Sequence, residues 1–242
     1  MDPALWCLYD KPLGSWCVCH GRFLILKILC LRNKSLVRNL PLPKPVESYS
    51  GFITVNQTTK SNLFFWFFPA ENGNKSAPVI LWLQGGPGSS SMFGLLKENG
   101  PFLADVDKSG HPFVRSNPFS WSAEHNLLYI DNPVGTGFSF ARSPEAYHSR
   151  LEDSTEDLYR FLQQFYQMFP ELRKNEFYPF GESYAGKYVP SLAYKIHREN
   201  TAARQEKERP DNWVRINLGT TQYNLSLSLS LIALVFSWYW HW

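Results

Sequence analysis

Ser183 stands in Gly181-Glu-Ser-Tyr-Ala-Gly186, between an aromatic run, Phe177-Tyr-Pro-Phe180, and a helical pattern carried by Tyr188, Leu192 and Ile196. Strand, small-residue turn and helix in that order expose a serine hydroxyl at a strand end, where it can attack a carbonyl carbon. Small residues are needed because the turn is sharp and the helix packs close to the strand. The general pattern is G-x-S-x-G. Here Ala185 takes the last position and the glycine follows one residue later. Such an attack also needs donors for the developing oxyanion. One is the N–H after the nucleophile, that of Tyr184; another comes from a glycine loop after an early strand. Gln84-Gly-Gly-Pro-Gly88 follows the apolar run Pro78-Val-Ile-Leu-Trp-Leu83, so Gly86 is the expected second donor. Each such donor contributes about 3 kcal/mol of transition-state stabilisation. The loop lacks G-x-G-x-x-G spacing and the P-loop lysine, which argues against phosphate binding.

The elements that must position these residues are legible between Tyr49 and Asn200. Gly51-Phe-Ile-Thr-Val55 and Asn62-Leu-Phe-Phe-Trp-Phe-Phe68 flank a polar turn and predict a hairpin. Pro78 to Leu83 and Asn126 to Asp131 are unbroken apolar runs, as in strands buried on both faces. The second leads into the turn Asn132-Pro-Val-Gly-Thr-Gly137. Residues 149 to 169 predict a helix with Thr155 capping its regular part and Leu158, Phe161, Leu162, Phe165 and Phe169 on one stripe. Trp213 to Leu218 reads as one more strand. The order predicts an α/β fold, a mostly parallel sheet with flanking crossover helices. Both glycine loops then fall beyond the carboxyl ends of the strands, where such sheets bind ligands.

A 242-residue chain that is 44% hydrophobic and 16% aromatic is a globular protein with room for one α/β domain. A formal charge of +3, evenly spread, argues against a nucleic-acid partner. No Cys/His spacing of the zinc type occurs, so no metal and no cofactor is expected. Cys7, Cys17, Cys19 and Cys30 all lie before the coherent region and leave three disulfide connectivities open.

The ends read differently from the middle. Residues 1 to 45 form an atypical N-terminal segment, in which the apolar run Phe23 to Leu31 is late for a signal peptide and is interrupted by Lys27. Residues 219 to 242 form a divergent apolar tail. Its uncharged run, 225 to 240, is shorter than the ~20 residues of a membrane span, so membrane contact there is the weaker reading.

Several stretches then carry a resemblance. Trp82-Leu-Gln-Gly-Gly-Pro-Gly-Ser-Ser-Ser91, Glu98-Asn-Gly-Pro101, Asn117-Pro-Phe-Ser-Trp121, Asp131-Asn-Pro-Val-Gly-Thr-Gly-Phe-Ser139 and Gly181 to Gly186 occur in one order. In that order they resemble the signatures of serine carboxypeptidases, nearest to the vitellogenic carboxypeptidase-like branch. The resemblance covers about residues 49 to 200, and the domain it marks runs from 46 to 218. It implies an α/β-hydrolase fold, incomplete at the C-terminal side. It also implies removal of C-terminal residues from peptides through an acyl-enzyme on Ser183, with Gly86 and Tyr184 as the oxyanion hole. By the same resemblance Gln84, Gly85, Glu98 and Glu182 hold the peptide's terminal carboxylate. Two acids hold a carboxylate only if protons are shared, because like charges in contact raise a pKa. This implies work at acidic pH, in a lysosome or vacuole or outside the cell. Gln84 stands where the family's commoner residue is asparagine, and it keeps the amide on a longer stem. Asp131, at the end of an early strand, reads as a structural turn residue.

In this fold a triad acid and base follow the nucleophile in the chain. The stretch after Ser183 offers only Asp211, His197 and His241, none of them with the strand-end setting a triad needs. The expectation is a chain with nucleophile, oxyanion hole and carboxylate clamp but no recognisable triad Asp or His, and little peptidase activity. Two rival readings stand beside it: a non-catalytic protein that captures peptide C-termini, and an acyltransferase of the same scaffold. Asn56-Gln-Thr58 and Asn74-Lys-Ser76 are glycosylation acceptors if the chain enters the secretory pathway.

Overall fold

The computed structural model describes residues 30–38, 45–205, 210 and 212–219. Cys7, Cys17, Cys19, the start of the 23–31 apolar run and the 225–240 tail lie outside these residues. Strands β1 (Tyr49–Asn56) and β2 (Ser61–Phe68) form the expected antiparallel hairpin. Their residues alternate: Ile53, Val55, Leu63, Phe65 and Phe67 face one core, while Phe64, Trp66 and Phe68 face another. Strand β3 (Val79–Leu83) leads to the short helix α1 (Met92–Lys97). A second hairpin, β4 (Phe102–Val106) with β5 (Pro112–Ser116), was not anticipated in the sequence and makes a separate two-stranded sheet. Strand β6 (Asn126–Ile130), helix α2 (Leu151–Met168), strand β7 (Phe177–Gly181) and helix α3 (Ala185–Gln205) follow.

The main sheet has the order β1-β2-β6-β3-β7. It is antiparallel on the hairpin side and parallel where β3 lies between β6 and β7. Apolar contacts on both faces explain the unbroken hydrophobic runs of β3 and β6. One face packs on α2 and α3 through Leu158, Phe161, Leu162, Phe165, Leu192 and Ile196, all fully buried. Edge-to-face rings at 5.6 Å (Phe65 and Phe161) and 5.1 Å (Phe67 and Phe165) lock α2 to the hairpin. Pairs of this kind contribute about 1 kcal/mol each beyond their buried area. The other face is covered by α1 and the β4–β5 hairpin, with Met92, Leu95 and Phe102 against Ile80, Leu127 and Tyr129.

Two local expectations are corrected. The N-cap of α2 is Arg150, not Thr155. Thr155 lies inside the helix, its hydroxyl bonded to the Leu151 carbonyl and to Ser191 on α3. Trp213 to Leu218 does not form a full strand either. It runs beside β7 and meets it in a single parallel bridge, Phe177 to Leu218. Part of the segment read as atypical joins the packed unit: Leu36 bridges Tyr49, and the Arg32 guanidinium stacks on Phe169 while pairing with Glu171 at 2.7 Å.

Register decides what the sheet presents. Leu83 pairs with Gly181, and Trp82 with Tyr129, so β3, β6 and β7 end level with one another. Their three following segments, at Gln84, Asp131 and Ser183, therefore converge.

Candidate active site

Ser183 has φ +57° and, with Lys60, is one of the non-glycine residues with positive φ among the described residues. For a serine that conformation costs on the order of 1 kcal/mol, and it persists only where its surroundings impose it. Here the constraint is covalent continuity between β7 and α3. The Glu182 N–H is held by the Leu83 carbonyl at 3.2 Å, while Ala185 and Gly186 already donate to Glu182 and Ser183 in the first helical turn. Ser183 is exposed at the top of this turn.

The glycine loop after β3 lies directly against it. A Cβ on Gly85 would stand 2.7 Å from the Glu182 carbonyl oxygen and the Tyr184 nitrogen, and 2.9 Å from the Ser183 Cβ. Only a glycine backbone fits that approach. Gly86 follows with φ +109°, a region that L side chains rarely adopt. The N–H groups of Gly86 and Tyr184 donate to no group among the described residues. Two unengaged backbone donors on adjoining loops beside a serine are groups that can receive a developing oxyanion.

A chain of side chains runs beside the serine. Trp82 Nε1 donates to Gln84 Oε1 at 3.0 Å, which turns the amide nitrogen toward Glu182, and Gln84 Nε2 donates to Glu182 Oε2 at 2.7 Å. Gln84 is almost fully buried, and its backbone N–H donates to Ser91 Oγ. Glu98, at the end of α1, lies against Glu182. Burial first, then contact with Glu182, raises its pKa from 4.5 to about 7. Glu98 Oε2 is buried and has no hydrogen-bond partner among the described residues. The indole of Trp121 packs edge-on against Trp82 and against Phe180.

Asp131 is fully buried and ties the loops together. It accepts from the Ser90 hydroxyl at 2.7 Å, from Ser91 N–H at 2.9 Å and from Phe138 N–H at 2.9 Å. This accounts for its place at the end of β6 without a role in a triad. Among the described residues no imidazole hydrogen-bonds Ser183. His197 is exposed on α3, and His148 pairs instead with the buried carboxylate of Asp157 at 2.7 Å.

The structure thus brings together Gln84, Gly85, Gly86, Glu98, Glu182, Ser183 and Tyr184, which come from three separate stretches of the chain. Sequence reasoning missed the orienting role of Trp82, although it lies in the same motif two residues before Gln84. It missed the His148–Asp157 pair as well, for which the sequence carries no periodic or motif signal. Among the described residues no group of acids, histidines and cysteines could hold a metal ion.

This arrangement can be set beside known proteins. A family model described as serine carboxypeptidase matches residues 39–220. The chain belongs to the serine carboxypeptidase family. It is 51% identical over 175 residues to the vitellogenic carboxypeptidase of Aedes aegypti, a match covering 72% of this chain and 36% of that protein. It is 53% identical over 174 residues to the probable serine carboxypeptidase CPVL of Rattus norvegicus, covering 72% and 35%. Among solved structures, a prohormone-processing carboxypeptidase from Saccharomyces cerevisiae superposes with a TM-score of 0.64 at 32% identity, over 76% of this chain and 41% of that one. The chain therefore spans little more than a third of the length of the curated serine carboxypeptidases it matches.

Proposed function

We propose that the site serves serine-type carboxypeptidase chemistry on peptides, with Ser183 as nucleophile. The observation that carries this reading is the continuous chain Trp82–Gln84–Glu182, flanked by the raised acid Glu98, set beside a serine held at positive φ. A serine turn alone suits any acyl transfer. The clamp adds selectivity for a free carboxylate.

In this reading the terminal carboxylate of the peptide accepts hydrogen bonds from Gln84 Nε2, the Gly85 N–H and the carboxyl proton of Glu98. Below about pH 7 Glu98 carries that proton, so the pair of acids can face an anion without an uncompensated like charge. The last peptide carbonyl then sits over Ser183. Oγ attacks the carbonyl carbon, and the oxygen takes the developing charge against the Gly86 and Tyr184 N–H groups. Collapse breaks the C–N bond, the terminal amino acid leaves with a proton on its nitrogen, and water hydrolyses the ester on Ser183. Both steps need a general base, which in the first takes the Ser183 proton and passes it to the leaving amine, and among the described residues no imidazole hydrogen-bonds Ser183. We further place the protein in an acidic compartment of the secretory pathway, where Glu98 is protonated.

A second reading, capture of peptide C-termini without turnover, is favoured by one observation: among the described residues no imidazole hydrogen-bonds Ser183. A fluorophosphonate probe on the full chain separates the two. A covalent adduct mapped to Ser183, absent in Ser183→Ala, is expected for the enzyme. A folded chain that binds peptide acids and takes no adduct overturns the catalytic reading in favour of capture.

A further inference from the structure

Trp213 to Leu218 meets the sheet in a single bridge, and side chains of the two long helices hold the rest of it. Gln163 on α2 donates to the Val214 carbonyl and accepts from the Val214 N–H, each at 2.7 Å. Asn200 on α3 donates to the Ile216 carbonyl at 2.8 Å, and Trp213 Nε1 donates to the Tyr159 hydroxyl at 3.0 Å. Val214 and Ile216 are turned inward and buried. Successive side chains of an extended segment point to opposite sides, so Trp213, Arg215 and Asn217 share the outward side.

Opposite this wall stands the 3-10 turn Pro170–Lys174, which leads into β7. Asn217 Nδ2 donates to the Lys174 carbonyl at 2.9 Å and joins the two walls. Between them lies a groove of about 410 Å³ lined by Arg173, Lys174, Trp213, Val214, Arg215 and Asn217. That volume falls within the ~300–1,000 Å³ of small-molecule sites. Its lining holds Arg and Lys side chains and no acid.

These cations are uncompensated. Arg32, Arg115, Arg150 and Arg160 each face a carboxylate at 2.7 to 3.9 Å. Arg173, Lys174 and Arg215 are exposed and form no ion pair among the described residues. The acids nearest in the chain are engaged elsewhere, Glu171 with Arg32 and Glu176 with the Tyr178 hydroxyl. Arg173 is also set in advance. Its Nε donates to the Tyr166 carbonyl at 2.8 Å, which fixes the plane of the guanidinium and leaves both terminal nitrogens for a ligand. That planar fork matches a phosphate group in a bidentate manner, and ordering it beforehand lowers the entropy lost on binding. A neutral ligand would leave all three charges unmet, and a ligand with a single negative charge would leave two. Two or more phosphate groups match the set.

We propose that this groove binds a small soluble molecule carrying two or more phosphate groups, held by Arg173, Lys174 and Arg215. The groove lies at the amino end of β7, whereas Ser183 follows its carboxyl end. The length of β7, Phe177–Gly181, separates them by roughly 16 Å at about 3.3 Å per residue. A ligand here does not enter the peptide clamp, and the site does not rest on the carboxypeptidase reading.

Titration calorimetry of the full chain at physiological ionic strength tests the proposal, with inorganic pyrophosphate, ADP and adenosine as probes. Pyrophosphate and ADP should each bind saturably at one site, and adenosine should not bind. Lys174→Gln combined with Arg215→Gln should weaken both ligands by at least ~10-fold. Both side chains are exposed and unpaired among the described residues, so the Tm without ligand should stay unchanged, which separates loss of the site from loss of the fold. Ser183→Ala should leave every affinity unchanged, so the outcome is independent of the serine chemistry. Absence of saturable binding by pyrophosphate and ADP, affinities that the double substitution leaves unaltered, or binding confined to a sulfated polysaccharide such as heparin would each overturn the proposal.

Discussion

The side chains of Gln84 and Glu182 meet at 2.7 Å although they lie 98 residues apart in the chain, one at the end of β3 and the other at the end of β7. Each closes one side of the same site, and the amide is oriented because the Trp82 indole occupies its oxygen. In the proposed reading, recognition of a carboxylate rests on this ordered relay rather than on a single charge.

The relay predicts that Gln84→Leu removes the partner of Trp82 Nε1 and one of the partners of Glu182, along with a donor to the substrate. Affinity for a peptide with a free C-terminal carboxylate should fall by roughly 10- to 100-fold, the worth of one or two hydrogen bonds to a charged group. Fluorescence titration checks it. Gln84→Asn should retain more of the affinity than Gln84→Leu, since it keeps the amide.

Glu98 makes stability depend on pH. Its pKa is about 7 in the folded chain against 4.5 ordinarily, so between these values the folded state holds a proton that the unfolded state has released. Its stabilising contribution is complete below 4.5 and disappears as pH rises through about 7. Thermal unfolding should therefore show a Tm that declines from about pH 5 to about pH 8, with the slope reduced in Glu98→Gln. Peptide-acid affinity should weaken over the same window.

Ser183 is held at φ +57°, a conformation that costs a serine more than a glycine. Ser183→Gly should stabilise the chain by about 1 kcal/mol in denaturant unfolding while abolishing fluorophosphonate labelling. Ser183→Ala should abolish labelling without the gain in stability, because alanine carries the same Cβ.

Gly85 admits no side chain. A methyl group there would press on Glu182, Ser183 and Tyr184 at 2.7 to 2.9 Å, so Gly85→Ala should destabilise by about 1–3 kcal/mol. Because the displaced atoms belong to the serine turn, loss of labelling should exceed what the loss of folded protein explains.

Asp131 offers a contrast between structure and catalysis. It is fully buried and accepts from Ser90, Ser91 and Phe138, so Asp131→Ala leaves those donors unpaired and should cost about 3 kcal/mol in chemical denaturation. The per-molecule rate of labelling in the fraction that stays folded should change little.

Most of the site was legible because it lies in strand-to-loop junctions, where glycine spacing and apolar runs leave a local record. The turn at Ser183 and the loop at Gln84 are each readable within ten residues. The β4–β5 hairpin was not, because its strands are half-exposed and lack both alternation and a tight Asn-Gly or Asp-Gly turn. Nor was the true start of α2, since Thr155 has the right residue type for a cap and the backbone begins the helix at Leu151 without a side-chain cap. The His148–Asp157 contact and the indole on Gln84 depend on side-chain orientation in three dimensions, which residue type and spacing do not encode.

Titration calorimetry of the full chain at about pH 5, with one peptide as its free acid and as its C-terminal amide, tests the central claim most directly. The clamp of Gln84, Glu98 and Glu182 predicts that the acid binds at least ~10-fold more tightly than the amide, and that Glu98→Gln with Gln84→Leu erases the difference. Equal affinity for the two peptides in the unmodified chain would contradict carboxylate recognition at this site.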